Sequence, residues 1–359
     1  MLHNVTHNTT MHIPDEVFGQ VLMVLLTVLI SVVSAVGLFG NALVMFIVFC
    51  YKDMHTVINY SFANLALTDL TLLLLDGLPT AADTMGTNFS ASLGCNIPIY
   101  LQYVTAEVTS LTLAFLSYDR YQLIVHPIKS LSRRSPKRIL KIFVGIWLVS
   151  FLVQVPVTLV AGPTASGSCS EFYLSSGERY FFAFETASLY CIPLAIIIFC
   201  YVTMGRKMLA AGPRSSIRRR RSVNSILFVI ILYVLCWLPV HVVHLWMAFD
   251  PEVEPTDALY NELHTAANVL LFMNSCVNPF VYTLVGPSFR RHIKTMAISI
   301  VKCRFNQPDP RRQQSTVRRS GAERSSDAYV VNNRPKPSPA SSTNEPVEPG
   351  SIQCSSTWL

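Results

Sequence analysis

Residues 111–127 read LTLAFLSYDRYQLIVHP, and residues 270–285 read LLFMNSCVNPFVYTLV. In the first, Asp119-Arg120-Tyr121 ends an apolar run where a basic loop begins; in the second, Asn278-Pro279-Phe280-Val281-Tyr282 lies near the end of another. An ionisable or amide group is costly in hydrocarbon, and a proline removes a backbone donor, so such residues inside membrane spans point to function. Both stretches read as parts of a signalling membrane protein rather than of an anchor.

The whole chain agrees. Its 359 residues are 51% hydrophobic and 14% charged, with mean hydropathy +0.40, too apolar for an ordinary soluble domain and without the alternation of a barrel. That composition predicts an all-α membrane protein. Apolar stretches of about 20 residues or more, the length that crosses a bilayer, fall near 19–49, 57–79, 97–126, 139–161, 180–209, 222–248 and 260–285. A seven-transmembrane helix bundle is expected over 19–285, followed by a short amphipathic eighth helix over 286–303 and a disordered, Pro-, Ser-, Arg- and Asn-rich tail over 304–359.

Lys and Arg set the orientation. The connector from Lys129 to Lys141 carries Lys129, Arg133, Arg134, Lys137, Arg138 and Lys141 without an acid, and the one from Arg206 to Arg221 is similarly basic. Both are expected to face the cytoplasm. The segment from Asp250 to Glu262 holds Asp250, Glu252, Glu254, Asp257 and Glu262 without a base, and is expected outside. Residues 1–18 then form an extracellular N-terminus, and the sequons at Asn4, Asn8 and Asn88 fall on the outer side as glycosylation candidates. No cleavable signal peptide is expected, because residues 1–18 are polar and the first apolar run is long enough to span.

Among nine cysteines, Cys50, Cys191, Cys200, Cys236 and Cys276 lie in or at apolar spans and read as small buried residues. Cys95 and Cys169 occupy extracellular positions, which favours a disulfide between them. Cys303 follows the amphipathic stretch and is a palmitoylation candidate, with a free thiol as the alternative.

The motifs together resemble the rhodopsin-like (class A) G-protein-coupled receptors: Gly40-Asn41, Asn64-Leu65-Ala66-Leu67-Thr68-Asp69, Cys95 with Asp119-Arg120-Tyr121, Trp147, Pro193 with Tyr201, Cys236-Trp237-Leu238-Pro239, and Asn278-Pro279-Phe280-Val281-Tyr282, in that order over the seven spans. The resemblance covers roughly residues 20–300. It implies a plasma-membrane receptor, not an enzyme, with an activation switch of Asp119, Arg120, Tyr121, Tyr201, Trp237, Pro239, Asn278, Pro279 and Tyr282. It also implies that Arg120 and Ile128 contact a heterotrimeric G protein. Many relatives place on the sixth helix an acid that latches Arg120, and here that region reads Arg218-Arg219-Arg220-Arg221. Tyr233 stands where the family usually has Phe, and Ser110 where a bulky aliphatic is usual.

Asp69 is a lone carboxylate inside an apolar helix, and Asn41, Thr109, Asn274, Ser275 and Asn278 can supply oxygens at similar depth. A sodium ion held by Asp69, Thr109, Asn274 and Ser275 would neutralise the charge; a protonated Asp69 in a hydrogen-bond network is the alternative.

The ligand is bounded by absences. The seventh span has no Lys, which excludes a retinal Schiff base, and Gln102 occupies the place where amine receptors of the family carry Asp. The run Val240-His241-Val242-Val243-His244-Leu245-Trp246 resembles neuropeptide receptors of the galanin and allatostatin-A group, with kisspeptin and somatostatin receptors as cousins. An RFamide or kisspeptin-like peptide is the alternative ligand. His241 and His244 share a helical face. They could ligate a metal, yet no acid or Cys accompanies them at metal-site spacing. Gln102, Glu107, Glu185, His241, His244, Trp246 and His264 are the expected ligand-binding residues. Glu107 and Glu185, both carboxylates at mid-span, either receive a cationic ligand group or belong to a structural network.

Coupling of the Gi/o type follows from the galanin-like resemblance. Arrestin, membrane lipid and a PDZ-domain protein reading Thr357-Trp358-Leu359 are further partners, and nothing points to nucleic acid. A transporter would need inverted repeats, broken helices or a charged pore, which the spans lack.

Overall fold

The computed structural model of the chain describes residues 15–83, 85, 87, 94–133, 135–163, 169–170, 178–210, 217–250, 252–253 and 258–305. Glycosylation candidates Asn4, Asn8 and Asn88 and the tail with Thr357-Trp358-Leu359 lie outside the described residues, as do the side chains of Arg218–Arg221 and Cys303. Seven long helices carry the chain across a bilayer. The first is Asp15–Cys50; the second runs over Val57–Asp83 with a π-helical turn at Leu73–Gly77; the third is Asn96–Val125. The fourth, Pro136–Val153, is followed by a short turn of helix at Val157–Val160. Glu178–Glu185, a π-helical turn Thr186–Cys191 and Ile192–Ala210 make the fifth. Ile217–Phe249 is the sixth and Ala258–Val285 the seventh. Where no water reaches, every backbone group must be satisfied within its own segment, which is what a helix does.

Most ends fall within a few residues of those expected, with physical reasons for the differences. The sixth helix starts five residues early because four arginines are good helix formers that water can solvate. The fourth starts at Pro136, where Ser135 caps it by accepting from the Arg138 N–H at 3.3 Å. Thr56 caps the second in the same way through the Asn59 N–H. A helix at Pro127–Arg133 occupies what the sequence reads as plain basic loop. After the fourth span, Gly162–Pro163 and Cys169–Ser170 form a two-residue antiparallel ladder, the only strands among the described residues. The final helix is Pro287–Phe305.

Burial identifies the axis of the bundle. In the third span 72% of the most apolar stretch is buried, against 22% in the fourth. The third span therefore tolerates polar residues all round, and Thr105, Glu107, Thr109, Ser110, Thr112 and Ser117 are all buried on it. Conversely, Val28, Val32, Phe39, Leu148, Leu152, Ile198 and Phe199 are exposed, as lipid-facing side chains should be. The first and seventh helices pack closely because of glycine. A Cβ on Gly40 would stand 3.0 Å from Pro279 Cγ, and one on Gly37 3.3 Å from the Cys276 Cα.

Cys95 is disulfide-bonded, and Cys50, Cys191, Cys200, Cys236 and Cys276 are free. Of these only Cys200 is fully buried; Cys50 and Cys191 are exposed, which corrects the reading of all five as buried packing residues. They sit on helix surfaces that a bilayer covers.

Candidate functional site

Three layers of polar groups run down the inside of the bundle, and prolines organise the lower two. Pro279 brings no N–H to the Ser275 carbonyl four residues earlier. Asn41 Nδ2 fills that place at 2.9 Å, while also donating to the Gly37 carbonyl at 3.0 Å. Asn41 can reach across because Gly37 and Gly40 let the seventh helix approach. Beside it, Asn278 Nδ2 donates to Asp69 Oδ2 at 2.9 Å, and Thr109 Oγ1 donates to Thr68 Oγ1 at 2.8 Å.

A cavity of about 10 Å³ is lined by Asp69, Thr68, Thr109, Asn274, Ser275 and Trp237, among others. It is close to the size of one water. Asn41 Oδ1 and Asn278 Oδ1 are buried with no donor among the described residues. A carboxylate surrounded by hydroxyl and amide oxygens is a donor set that suits a hard monovalent cation. All four residues expected to hold sodium line this one space.

Asn64 ties three helices together. Its Nδ2 donates to Thr112 Oγ1 at 2.8 Å, and its Oδ1 accepts from Trp147 Nε1 at 3.0 Å. At the inner end Arg120 Nη2 pairs with Asp119 Oδ2 at 2.9 Å, both buried. The Tyr201 and Tyr282 hydroxyls are buried without a partner among the described residues, and the Tyr282 ring stacks on Phe62 at 4.2 Å. Ile128, on the inner-loop helix, is 85% exposed. Tyr121 packs against His126 and Phe199 rather than joining the ion pair.

Pro193 repeats the proline theme in the fifth span. Its missing N–H leaves the Leu189 carbonyl free, and Tyr233 Oη donates to it at 2.7 Å. Tyr190 Oη returns a bond to the Val234 carbonyl at 3.2 Å, so two tyrosines brace the fifth and sixth spans reciprocally. Here the hydroxyl that distinguishes Tyr233 from the usual Phe has a specific partner. The small Ser110, buried on the third span, keeps its own hydroxyl on the Glu107 carbonyl at 3.0 Å.

The outer layer is a cavity of about 40 Å³ whose lining includes Gln102, Glu185, Trp237, His241, His244 and Asn268. Four of the seven expected ligand residues thus meet in one space with Trp237. His241 lies between the rings of Tyr190 and Trp237, at 5.1 and 6.3 Å. His264 stacks on Tyr260 at 5.6 Å and stands 5.4 Å from His244. Trp246 belongs to the outer end, where its indole N–H donates to Asp250 at 3.2 Å. Glu107 is elsewhere: it is 3% exposed, and Gln154 Nε2 on the fourth span donates to its Oε2 at 3.1 Å. It is not among the residues lining the outer cavity. Among the described residues no three His, Cys, Asp or Glu gather as a metal site.

One residue escaped the sequence reading. Asp76, in the π-helical turn of the second span, accepts from Gln102 Nε2 at 2.8 Å and from Thr80 Oγ1 at 3.1 Å. The amide that replaces the amine receptors' acid is therefore itself attached to an acid one helix away. A second carboxylate in the same apolar span as Asp69 is the signal that could have found it.

A bundle of seven helices with a polar shaft, a proline inside the sixth helix and a buried inner ion pair defines a membrane receptor. The description "7 transmembrane receptor (rhodopsin family)" matches residues 40–282, and the chain belongs to that family, which comprises receptors and not enzymes. It is similar to G-protein coupled receptor 54 of Oreochromis niloticus, 30% identical over 290 residues, covering 74% of this chain and 76% of that one. Somatostatin receptor type 1 of Rattus norvegicus is 30% identical over 286 residues, 76% of this chain and 71% of the relative. The KiSS-1 receptor of Homo sapiens is 31% identical over 288 residues, 71% and 70% respectively.

Proposed function

We propose that the chain is a plasma-membrane receptor, N-terminus outside, for an extracellular neuropeptide, and that it activates heterotrimeric G proteins of the Gi/o class. The observation that carries this reading is the outer cavity above Trp237, in which Gln102 is joined to Asp76 and faces His241, His244 and Glu185. The relatives named for KiSS-1 and somatostatin support a peptide. Galanin, allatostatin-A and KiSS-1-like or RFamide peptides are the ligand classes to test first. A space of about 40 Å³ holds about three waters by the one-probe measure. One side chain or terminus of the peptide therefore enters and widens it, while the remainder lies on the outer rim near Trp246, His264 and the acids Asp250, Glu252 and Glu262. Charge on that rim steers a basic peptide.

Ligand pressing on Trp237 biases the kink at Pro239, the inner half of the sixth helix swings, and Arg120 leaves Asp119 for the G protein while Tyr201 and Tyr282 turn inward. Ile128 enters an apolar groove on the G protein. Sodium at Asp69, Thr109, Asn274 and Ser275 favours the resting arrangement. A disulfide from Cys95 to Cys169 holds the second outer loop, Asn4, Asn8 and Asn88 carry glycans, Cys303 carries palmitate, and arrestin and a PDZ-domain protein bind the cytoplasmic side.

The test is nucleotide exchange by Gi in membranes carrying the full chain, stimulated in turn by KiSS-1, somatostatin, galanin, allatostatin-A and RFamide peptides. A saturable, Gi-dependent response to one of them is expected. A flat response to all, together with solute flux in vesicles, would overturn the assignment.

A further inference from the structure

Asp76 carries a charge for which the fold supplies no partner. It is half-buried in the outer part of the second span. Thr80 Oγ1, one turn on, donates to its Oδ1 at 3.1 Å, and Gln102 Nε2 on the third span donates to its Oδ2 at 2.8 Å. Both carboxylate oxygens are thus held in place, yet both donors are neutral. Among the described residues no cation pairs with Asp76. The chain has no Lys or Arg over 57–119, 180–205 or 222–289, which contain the cavity-lining parts of the second, third, fifth, sixth and seventh spans.

Gln102 lines the outer cavity, so the carboxylate stands one hydrogen bond away from the cavity wall. A second, independent demand comes from the sixth span. Trp237 and His241 line the same cavity and are 6% and 4% exposed. Trp237 Nε1 and His241 Nε2 are both buried without a partner among the described residues. An indole N–H can only donate, so what Trp237 lacks is an acceptor. The cavity therefore asks for a molecule that brings a cation to one side and a carbonyl oxygen to the other.

We infer that Asp76 and Gln102 form the subsite for an arginine side chain of the peptide, with a backbone carbonyl of the same segment accepting from Trp237 Nε1. The assignment rests on the outer cavity being the ligand site. Gln102 gives its Nε2 to Asp76 and keeps its Oε1, which accepts from no donor among the described residues. That oxygen and the carboxylate are two acceptors on one face, and a guanidinium, planar with five donors, can bond both at once. An ammonium is a point charge and gains less from the amide. Removing a guanidinium from water is costly unless it is paired, and here the partner is already fixed by Thr80 and Gln102 before ligand arrives. A carboxylate on the ligand would meet Asp76 with like charge, and a simple amine would leave the Trp237 N–H unmet.

The experiment uses the purified full chain in phosphatidylcholine nanodiscs and needs neither an agonist nor a G protein. Nα-acetyl-arginine amide is titrated by saturation-transfer NMR, with Nα-acetyl-citrulline amide, its neutral isostere, and Nα-acetyl-lysine amide as separate arms. The arginine fragment is expected to bind about tenfold or more tighter than the citrulline one, as one charge-assisted contact provides, with lysine between them. Asp76→Asn should abolish that preference while changing citrulline binding less than about twofold, because shape is kept. Glu185→Gln, which neutralises the other carboxyl of the cavity, should leave the preference in place. Reversing the pair with Asp76→Asn and Gln102→Glu keeps a hydrogen bond between the second and third spans, moves the charge to the third, and should restore the preference. All variants are compared at matched thermal stability. Equal binding of the arginine and citrulline fragments, or binding of neither, would overturn the subsite. So would a preference that survives Asp76→Asn, one lost equally in Glu185→Gln, or one that the reversed pair does not regain while still binding citrulline. Each of these outcomes is independent of Gi coupling, which nucleotide exchange reads separately.

Discussion

Replacing Tyr233 by Phe removes one oxygen from the centre of the proposed switch and leaves the ring in place. In the structure that oxygen donates at 2.7 Å to the Leu189 carbonyl, and its residue is 1% exposed. Pro193 cannot supply the ordinary helical donor, so the carbonyl is left buried in the bundle with no proton. A buried acceptor without its partner costs about 1–3 kcal/mol, whereas interhelical hydrogen bonds in bilayers average about 0.6 and reach about 1.7 kcal/mol. The short distance and the absent backbone donor place this bond near the upper end, about 1.5 kcal/mol. Because it crosses from the fifth to the sixth span, it must break when the sixth swings. Its loss then moves the resting-to-active equilibrium about tenfold toward the active state.

Two assays read that shift. Basal Gi nucleotide exchange without peptide should rise several-fold in Tyr233→Phe at matched surface density. Unfolding of the purified receptor, followed by a thiol-reactive dye on the buried Cys200 and the half-buried Cys236 and Cys276, should occur about 3–6 °C lower. Pro193→Ala supplies the missing N–H, and in that background the same Tyr233→Phe change should cost little. Tyr190→Phe loses a longer bond, 3.2 Å to Val234, and should act in the same direction but less. Unchanged basal exchange with a lowered unfolding temperature would refute the switch role and leave Tyr233 a packing residue.

Further expectations follow from the other layers. Asp69→Asn should abolish the fall in agonist affinity that sodium causes at constant ionic strength; a mutant keeping the full sodium response would remove the ion site. Gln154→Leu should lower the unfolding temperature by withdrawing the Glu107 donor, and Glu107→Leu in addition should recover most of that loss. A Gln154→Leu receptor of normal stability that discriminates against a cationic peptide alone would return Glu107 to the ligand site. Asp76→Asn should weaken a peptide carrying an Arg or Lys by about 1.5–3 kcal/mol and spare the analogue with that cation replaced, as measured by competition binding. Cys95→Ser and Cys169→Ser should each lower surface expression and peptide binding, and normal binding by both would exclude the proposed disulfide.

The bundle was legible in the sequence because hydrocarbon leaves few options. Asp69, Asn278 and Arg120 stand out against apolar runs, and the structure places Asp69 against Asn278 at 2.9 Å and Arg120 against Asp119. Which way a polar side chain faces was less legible. Glu107 and Glu185 look alike in sequence, yet one is held by Gln154 on the fourth span and the other lines the outer cavity. The π-helical turn Thr186–Cys191 begins directly after Glu185, and each residue added to a helix turns what lies beyond it by about 100°. A regular helical wheel drawn back from Pro193 thus does not fix the facing of Glu185, which nevertheless lines the outer cavity as expected, whereas Glu107, on the π-free third helix, turns to Gln154.

The second span carries the same device at Leu73–Gly77, with Asp76 inside the turn. Irregular turns are set by packing against neighbours rather than by local pattern, and both here fall in the outer half of the bundle. Gly77 shows how: a Cβ there would meet Ser34 Oγ at 2.7 Å, so the first helix packs on the turn itself. The inner halves, where Asn41, Asn278 and Arg120 sit, follow ordinary helical spacing and could be read from the sequence. The outer halves of the second and fifth spans carry the π turns, so Asp76 and Glu185 are the carboxylates whose facing helical spacing alone does not set.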